Sequence, residues 1–284
     1  NYRVNFDYSP TDNALWYLSA TTGHRAGGFN LGFFSAFPSY DSETVTSYEL
    51  GHKGSYLDNT LQINASTYLY EYENIHGQFD SQSFLGGTST SVIGYPEAET
   101  KGFEMEVIYM PEPNWIIGGN YSYTDARYSE ELIDAFGNKG NIDENNPEAP
   151  GSLYSISERE SPIEGRRMER IPQNKMSIYS NYTQEVTGGS IDYLVGWSWT
   201  DSVIWNDSAL PYHVSPSWSR LDMKATWTND EGDLELMFFV NNVLDEIGVR
   251  NINAEDETQG FLVSVTPTLP RMGGISFTKK FGSY

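Results

Sequence analysis

"KGFEMEVIYMPEPNW", residues 101–115, decides the fold. One face of this run carries Phe103, Met105, Val107 and Tyr109, and the other carries Glu104 and Glu106. Successive side chains of a strand point to opposite sides, so strict alternation marks a β-strand with two unlike faces. The run ends at Pro111-Glu112-Pro113-Asn114, residue types that favour tight turns, and Trp115 opens the next strand. Two carboxylates on one face suit a hydrated surface and would be prohibitive inside a sandwich core.

The same alternation extends outward in both directions. Tyr2, Val4, Phe6 and Tyr8 oppose Arg3, Asn5 and Asp7, and Leu61, Ile63, Ala65 and Leu69 oppose Gln62, Asn64 and Ser66. Leu221, Met223, Ala225 and Trp227 oppose Arg220, Asp222, Lys224 and Thr226, while Ile191, Tyr193, Val195, Trp197 and Trp199 share a face. No segment has a helical period, and no apolar run reaches the roughly 18 residues of a membrane helix. About eleven strands are expected, near 1–8, 14–23, 47–56, 60–75, 100–110, 114–127, 173–185, 190–200, 217–228, 234–243 and 272–281. At about ten residues each they exceed the usual soluble strand of about 5–6 and match the 9–11 or so that cross a bilayer. Aromatics near strand ends, Tyr56, Tyr109, Trp115, Tyr128, Tyr182 and Trp227, are those expected of an interfacial girdle, with the high β-propensity of Tyr and Trp as the competing reading.

The connections alternate short and long. Tight turns at 10–13, 57–59, 111–114, 187–189 and 229–233 alternate with long stretches at roughly 25–46, 77–98, 129–171, 201–216 and 245–271. Long loops on one rim and short turns on the other are the pattern of an outer-membrane barrel. An odd number of strands is not a complete single-chain bacterial barrel, and eleven is half of the 22 in plugged transporters. The last strand is followed by no turn and so is expected to run down to the periplasmic rim, a parity that matches the C-terminal half of such a barrel. Half a barrel leaves two unpaired edges in lipid, so the chain is not expected to work alone.

Composition agrees. The 284 residues hold 39 acidic against 17 basic side chains, a net charge of -22, which disfavours nucleic acid as a partner. Cysteine is absent, so neither disulfides nor thiolate metal sites form. The chain has 14% aromatic residues but only 38% hydrophobic ones, which fits a thin apolar surface around a polar interior. It begins at Asn1 without Met, already strand-like, and reads as a fragment or processed product.

Six blocks together resemble the C-terminal barrel half of TonB-dependent outer-membrane receptors. They are "LSATTGHRAGGFN", "SETVTSYELGHKGSYLDNTLQINASTYLYEYENI" with Glu43, Tyr48-Glu49-Leu50-Gly51 and Lys53, "KGFEMEVIYMPEPNW" with Gly102, Glu104 and Glu106, "RIPQNKMSIYSNY", "FFVNNVLDE" with Asn242, Leu244 and Asp245, and "TPTLPRMGGISFTKKF" with Pro270, Arg271, Gly273 and Phe281. They follow the family's order over nearly the whole chain. Gly282, Ser283 and Tyr284 extend past the closing aromatic, unlike the family's usual ending. The resemblance implies a non-enzymatic receptor of the bacterial outer membrane that takes up a scarce nutrient. A ferric siderophore or other iron complex comes first, with cobalamin, haem or oligosaccharide as alternatives. It also implies partners: the TonB–ExbB–ExbD complex, reached through an N-terminal part outside this chain, the receptor's own plug domain, and outer-membrane lipid. The plug, the TonB box and the first barrel strands are read as absent from this chain. A surface carbohydrate-binding module is the alternative of another class, and an outer-membrane barrel enzyme the third.

Ligand contacts are expected at Arg25, Phe29, Asn30, Phe33, Trp205, Arg166, Arg167 and Arg170, combining guanidinium groups suited to anionic chelates with aromatic loop side chains. Phe34, Phe37, Tyr40 and Trp218 are further candidates for an outer aromatic pocket. For Arg25 a rim salt bridge competes with ligand contact. For Arg166–Arg170 the competing reading is pairing with Glu158, Glu160, Glu164 and Glu169. Glu104, Glu106, Arg220, Asp222 and Lys224 are expected to face the lumen and the plug. The four histidines, His24, His52, His76 and His213, lack the spacing of a metal site, as does the acidic stretch 134–160 with Asp143, Glu144 and Glu148. No cofactor is expected. Neither a nucleophile elbow nor a phosphate or dinucleotide loop is present, and no triad can be assembled.

Overall fold

A computed structural model of the chain describes residues 1–30, 38–82, 88–130, 164–205, 213–254 and 262–282. The chain enters through β1 (Arg3–Thr11) and β2 (Ala14–Arg25), then makes a short pair, β3 (Gly28–Phe29) and β4 (Ser39–Tyr40). β5 (Glu43–Tyr56), β6 (Leu61–Gln82), β7 (Thr88–Glu112) and β8 (Trp115–Tyr128) follow, and after a long connection β9 (Asn174–Val186) and β10 (Gly189–Thr200). A second short pair, β11 (Val203–Ile204) and β12 (Val214–Ser215), precedes β13 (Trp218–Asn229) and β14 (Leu234–Asn241). A third pair, β15 (Val249–Ala254) and β16 (Val263–Pro267), leads into β17 (Met272–Lys279).

Eleven of these form one antiparallel sheet in the order β1-β2-β5-β6-β7-β8-β9-β10-β13-β14-β17, every neighbour being the next long strand in sequence. The eleven expected strands are these eleven. All tight turns lie at one end of the sheet and all long connections, with their three short strand pairs, at the other. At the β5–β6 turn Leu57, Asp58 and Asn59 all take positive φ. Such conformations suit Asp and Asn far better than Leu, so the two polar residues make the reversal and carry Leu57 with them.

Register separates the two faces. The cross-strand rows Leu18–Leu50, Ala65–Met105, Ile178–Trp197 and Phe238–Ile275 lie on one face. Val4, Phe6, Trp16, Leu18, Leu50, Phe103, Met105, Ile178, Val195, Phe238, Ile275 and Phe277 stand exposed there, an apolar belt with no protein to cover it. Water would make so broad an apolar surface unfavourable, whereas lipid makes it the stable outer wall. Its turn-side margin carries Trp115 and Tyr182, whose rings meet edge to face 6.3 Å apart, and Trp16, His52 and Tyr56, with His52 Nε2 2.7 Å from the Tyr56 hydroxyl.

The opposite face is polar, and it uses a repeated packing device. Tyr17 lies over Gly51, Tyr68 over Gly102, Tyr179 over Gly118 and Phe239 over Gly274, each glycine directly across from its ring on the neighbouring strand. A methyl group at Gly102 would stand 2.4 Å from both the Tyr68 hydroxyl and the Tyr123 carbonyl oxygen, so only glycine fits.

Two expectations are corrected at the loop end. The stretch 77–98, read as a long loop, is mostly sheet: β6 and β7 pair continuously up to Gln82 and Thr88, leaving roughly a dozen residues of each strand beyond the apolar belt. Tyr128, read as part of the interfacial girdle, is buried on the polar side instead, its ring 4.6 Å from that of Tyr95.

Candidate functional site

The polar wall is built row by row from register. Lys53, Asn64, Glu106, Asn120, Ser177, Ser198 and Arg220 are successive cross-strand partners from β5 to β13. Glu104, Glu106, Arg220, Asp222 and Lys224 therefore share this face. Asn64 Nδ2 donates to Glu106 Oε2 at 3.0 Å. Arg220 Nε donates to both Asp222 oxygens at 2.8 and 2.9 Å, and the Asn242 backbone amide donates to Oδ1 of the same carboxylate at 2.8 Å.

Side chains that the sequence reading did not assign to the lumen complete this wall. The Tyr17 hydroxyl donates to Glu49 Oε1 at 2.5 Å, and Lys53 Nζ sits 5.9 Å from the Tyr17 ring centre. Tyr68 stacks on Tyr70 with centroids 4.9 Å apart, and its hydroxyl is 2.9 Å from Thr124 Oγ1. A depression of about 400 Å³ opens here, lined by Tyr17, Lys53, Asn64, Glu104, Glu106 and Ser122. Two-residue phase was the available signal, since Tyr68 and Tyr70 share parity with Asn64 and Ser66.

Above the wall the described parts of the long connections pack together as a roof. Asn74 takes a left-handed φ of 55°, tolerated by its short polar side chain, and beyond it the buried positions of β7 are Ser91, Ile93 and Tyr95. Ile93, Tyr95, Ala98 and Tyr128 then make a buried cluster joined by Tyr72, Ile75 and Met168. Asn30 ties the β3–β4 pair to this hairpin: its amide donates to the Val92 carbonyl at 2.7 Å, and the Val92 amide donates back to Asn30 Oδ1 at 2.9 Å.

Arg25 forms an ion pair with Glu43, its cross-strand partner. The His76 amide also donates to Glu43 Oε2, at 2.8 Å, and the His76 ring meets Tyr40 edge-on at 4.9 Å. Partial burial pushes the Glu43 carboxyl up, but the hydrogen bonds from Arg25 and the His76 amide, with the charge of Arg25, outweigh it and leave the group below the ordinary carboxylate range. Nearby, His24 Nδ1 lies 3.2 Å from Asn1 Oδ1 and His76 Nε2 2.7 Å from the Asp41 carbonyl oxygen.

The remaining expected contacts fall in several places. Phe29 is 82% exposed. Phe33, Phe34, Phe37 and the acidic stretch 134–160 lie outside the described residues. Trp205 is held by its indole N–H, which donates to Ser215 Oγ at 3.0 Å, and its backbone amide donates to the His213 carbonyl at 2.8 Å. His213 is 1% exposed, and burial pushes its pKa down to about 4. Trp218 packs on Gly248. The basic cluster divides. The Arg166 carbonyl accepts from the Tyr128 amide, Arg167 bridges to Arg127, and Arg170, at a φ of 61°, points an exposed guanidinium toward Glu169 at 3.5 Å. Among the described residues no three His, Asp or Glu side chains are arranged to hold a metal ion.

Comparison with known proteins identifies the architecture. The family described as TonB dependent receptor-like, beta-barrel matches residues 1–243. A probable TonB-dependent siderophore receptor, PiuA of Acinetobacter baumannii, is 23% identical over 254 residues, covering 86% of this chain and 30% of the relative. Among solved structures, the ferric yersiniabactin uptake receptor FyuA of Yersinia pestis superposes with a TM-score of 0.73 at 14% identity, over 99% of this chain and 37% of that one. The PiuA structure gives 0.70 at 20% identity, over 98% and 35%. The copper transporter OprC gives 0.66 at 15%, over 98% and 39%. The chain thus spans about a third of the length of these relatives, and the structural likeness establishes a shared fold.

Proposed function

The chain belongs to the TonB-dependent receptor-like β-barrels of the outer membrane, a family of transporters and not of enzymes, and from that premise we propose that it is wall and roof of a receptor for ferric siderophores. The observation that carries this reading is the stacking of a packed, aromatic-bearing extracellular roof directly above a hydrated polar wall. A solute arriving from outside meets the tied strand pairs of the loop end first and a charged wall behind them. Phe29 and Arg170, the most exposed of the expected contacts among the described residues, are the side chains offered to it. Arg25 acts as a rim brace through Glu43. The iron-complex assignment draws on PiuA and FyuA, whose names specify siderophore and ferric yersiniabactin uptake.

Within a 22-stranded barrel we assign the chain to the C-terminal half, on the parity of its strands and turns. The wall carboxylates and Arg220 would face a plug domain supplied by the rest of the receptor, and energy would come from the TonB–ExbB–ExbD complex. Deletion of the full-length gene tests the substrate. A growth defect confined to iron-limited medium, with loss of labelled ferric-chelate uptake, is the expected result. Normal uptake would remove the iron reading and turn attention to cobalamin, haem and oligosaccharides.

A further inference from the structure

The outward face carries a second kind of site. Just above the apolar belt, where Phe103 on β7 and Tyr123 on β8 end it, the next outward positions are charged. Lys101 lies directly across from Asp125, and Arg127 directly across from Glu99. On its other side Arg127 is bridged, antiparallel, by Arg167. Met168 packs with the roof cluster on the polar side and Arg166 faces Tyr128 across the same bridge, so Arg167 between them shares the outward side of Arg127. Like charges set directly across a ladder repel, and an anion seated between them removes the penalty.

We propose that Lys101, Arg127 and Arg167 form a binding site for the phosphorylated headgroup of an outer-leaflet lipid. Same-face positions along a strand are about 6–7 Å apart, which sets these cations at headgroup depth, one or two steps above the apolar margin. The side chains are held in place by their own partners. Lys101 Nζ donates to Glu99 at 2.8 Å; Arg127 Nε donates to Asp125 at 2.8 Å and its Nη1 to the Gly165 carbonyl at 3.0 Å; Arg167 Nη2 donates to the Ile171 carbonyl at 3.2 Å. Lys101 and Arg127 remain 57% and 45% exposed, so their charge still faces the lipid. Planar guanidinium groups match phosphate oxygens in pairs, which suits two adjacent arginines to a phosphomonoester. Glu71 and Glu73, directly across from Glu99 and Glu97, repel phosphate and bound the site on the β6 side. The proposal rests on the outer-membrane placement of this face and not on which solute is transported.

The test is native mass spectrometry of the intact receptor. It is delipidated in mild detergent with a chelator present, so that the carboxylates recruit no bridging cation, and then titrated with diphosphorylated lipid A or its dephosphorylated form. Wild type should retain the phosphorylated lipid about fivefold or more over the other, R127Q/R167Q should lose that preference, and K101Q should reduce it. K280Q, at the opposite rim, should leave it intact, and heat-modifiable gel mobility confirms that each variant is folded. Equal retention by wild type and R127Q/R167Q, or displacement of the lipid by millimolar inorganic phosphate, would overturn the assignment.

Discussion

The wall and the roof are made from the same two strands by different physics. Below Asn74, β6 and β7 keep strict alternation: apolar side chains face lipid and polar ones face the lumen, and rings fill the space above glycines. Above it the hairpin stops separating two solvents and builds a small core of its own, with Ile93 fully buried and Tyr95 3% exposed. The wall owes its stability to register and lipid. The roof owes its stability to a few side-chain ties among connections far apart in sequence. Damage to the wall should therefore reach the whole barrel, and damage to the roof should stay local.

The largest effect should come from Gly102→Val. Its Cβ would collide with the Tyr123 carbonyl, a backbone atom that cannot swing aside, at an expected cost of about 3 kcal/mol or more. Loss of the heat-modifiable folded band, with little assembled protein, is the expected readout. A variant that assembles normally would show the aromatic–glycine pairs to be dispensable.

Acid should loosen the β11–β12 pair next. Buried His213 stays neutral down to about pH 4, whereas an exposed imidazole titrates near 6.5. Between those values only the open form takes up the proton, so the closed form loses stability as pH falls through this window, by up to about 3 kcal/mol, and is unaffected above it. Hydrogen exchange at 203–205 and 213–215, corrected for intrinsic rates, should rise at pH 5 relative to pH 7, and His213→Gln should abolish the difference.

Asn30→Ala removes both bonds to Val92 and should destabilise the attachment of the β3–β4 pair by roughly 1–2 kcal/mol. Faster exchange at Val92 with unchanged exchange in β13 and β14 is the signature; a uniform rise would mean that roof and wall open together. The smallest change is expected from Glu43→Gln, about 0.5–1 kcal/mol in roof stability at neutral pH. Because the carboxyl titrates below its ordinary value, wild-type stability is present above the unfolded value and lost as pH falls through the folded one. Wild type and variant should therefore converge in acid, which exchange at residues 74–77 would register.

Legibility followed the same division. Phe103–Tyr109 displayed its two environments in order, and the turn residues Asp58, Asn59 and Gly188 marked one rim, so all eleven long strands could be read from the sequence. The β6–β7 extension escaped because 88–94 is rich in Thr, Ser and Gly and resembles a loop, while beyond the left-handed Asn74 the buried positions change parity, from Ala98 to Tyr95, Ile93 and Ser91. Tyr68 and Tyr70 were hidden from the wall because aromatic residues count as apolar, although their hydroxyls suit a wet lumen. The Arg25–Glu43 pair spans 18 residues and the Arg127–Arg167 bridge joins segments 40 apart, so neither could be seen without register.

The strictly sequential strand order bears on how such a wall could enter a membrane. Each strand pairs with the next long strand in the chain, and five of the ten pairings close through tight turns. The pairings thus join strands that are neighbours in the chain. A growing sheet can take on one hairpin at a time and satisfy its backbone groups as it goes, exposing a single fresh edge to hydrocarbon at each stage. On this account the periplasmic turns are the starting points of assembly, and the elaborate extracellular connections are free to vary without disturbing it.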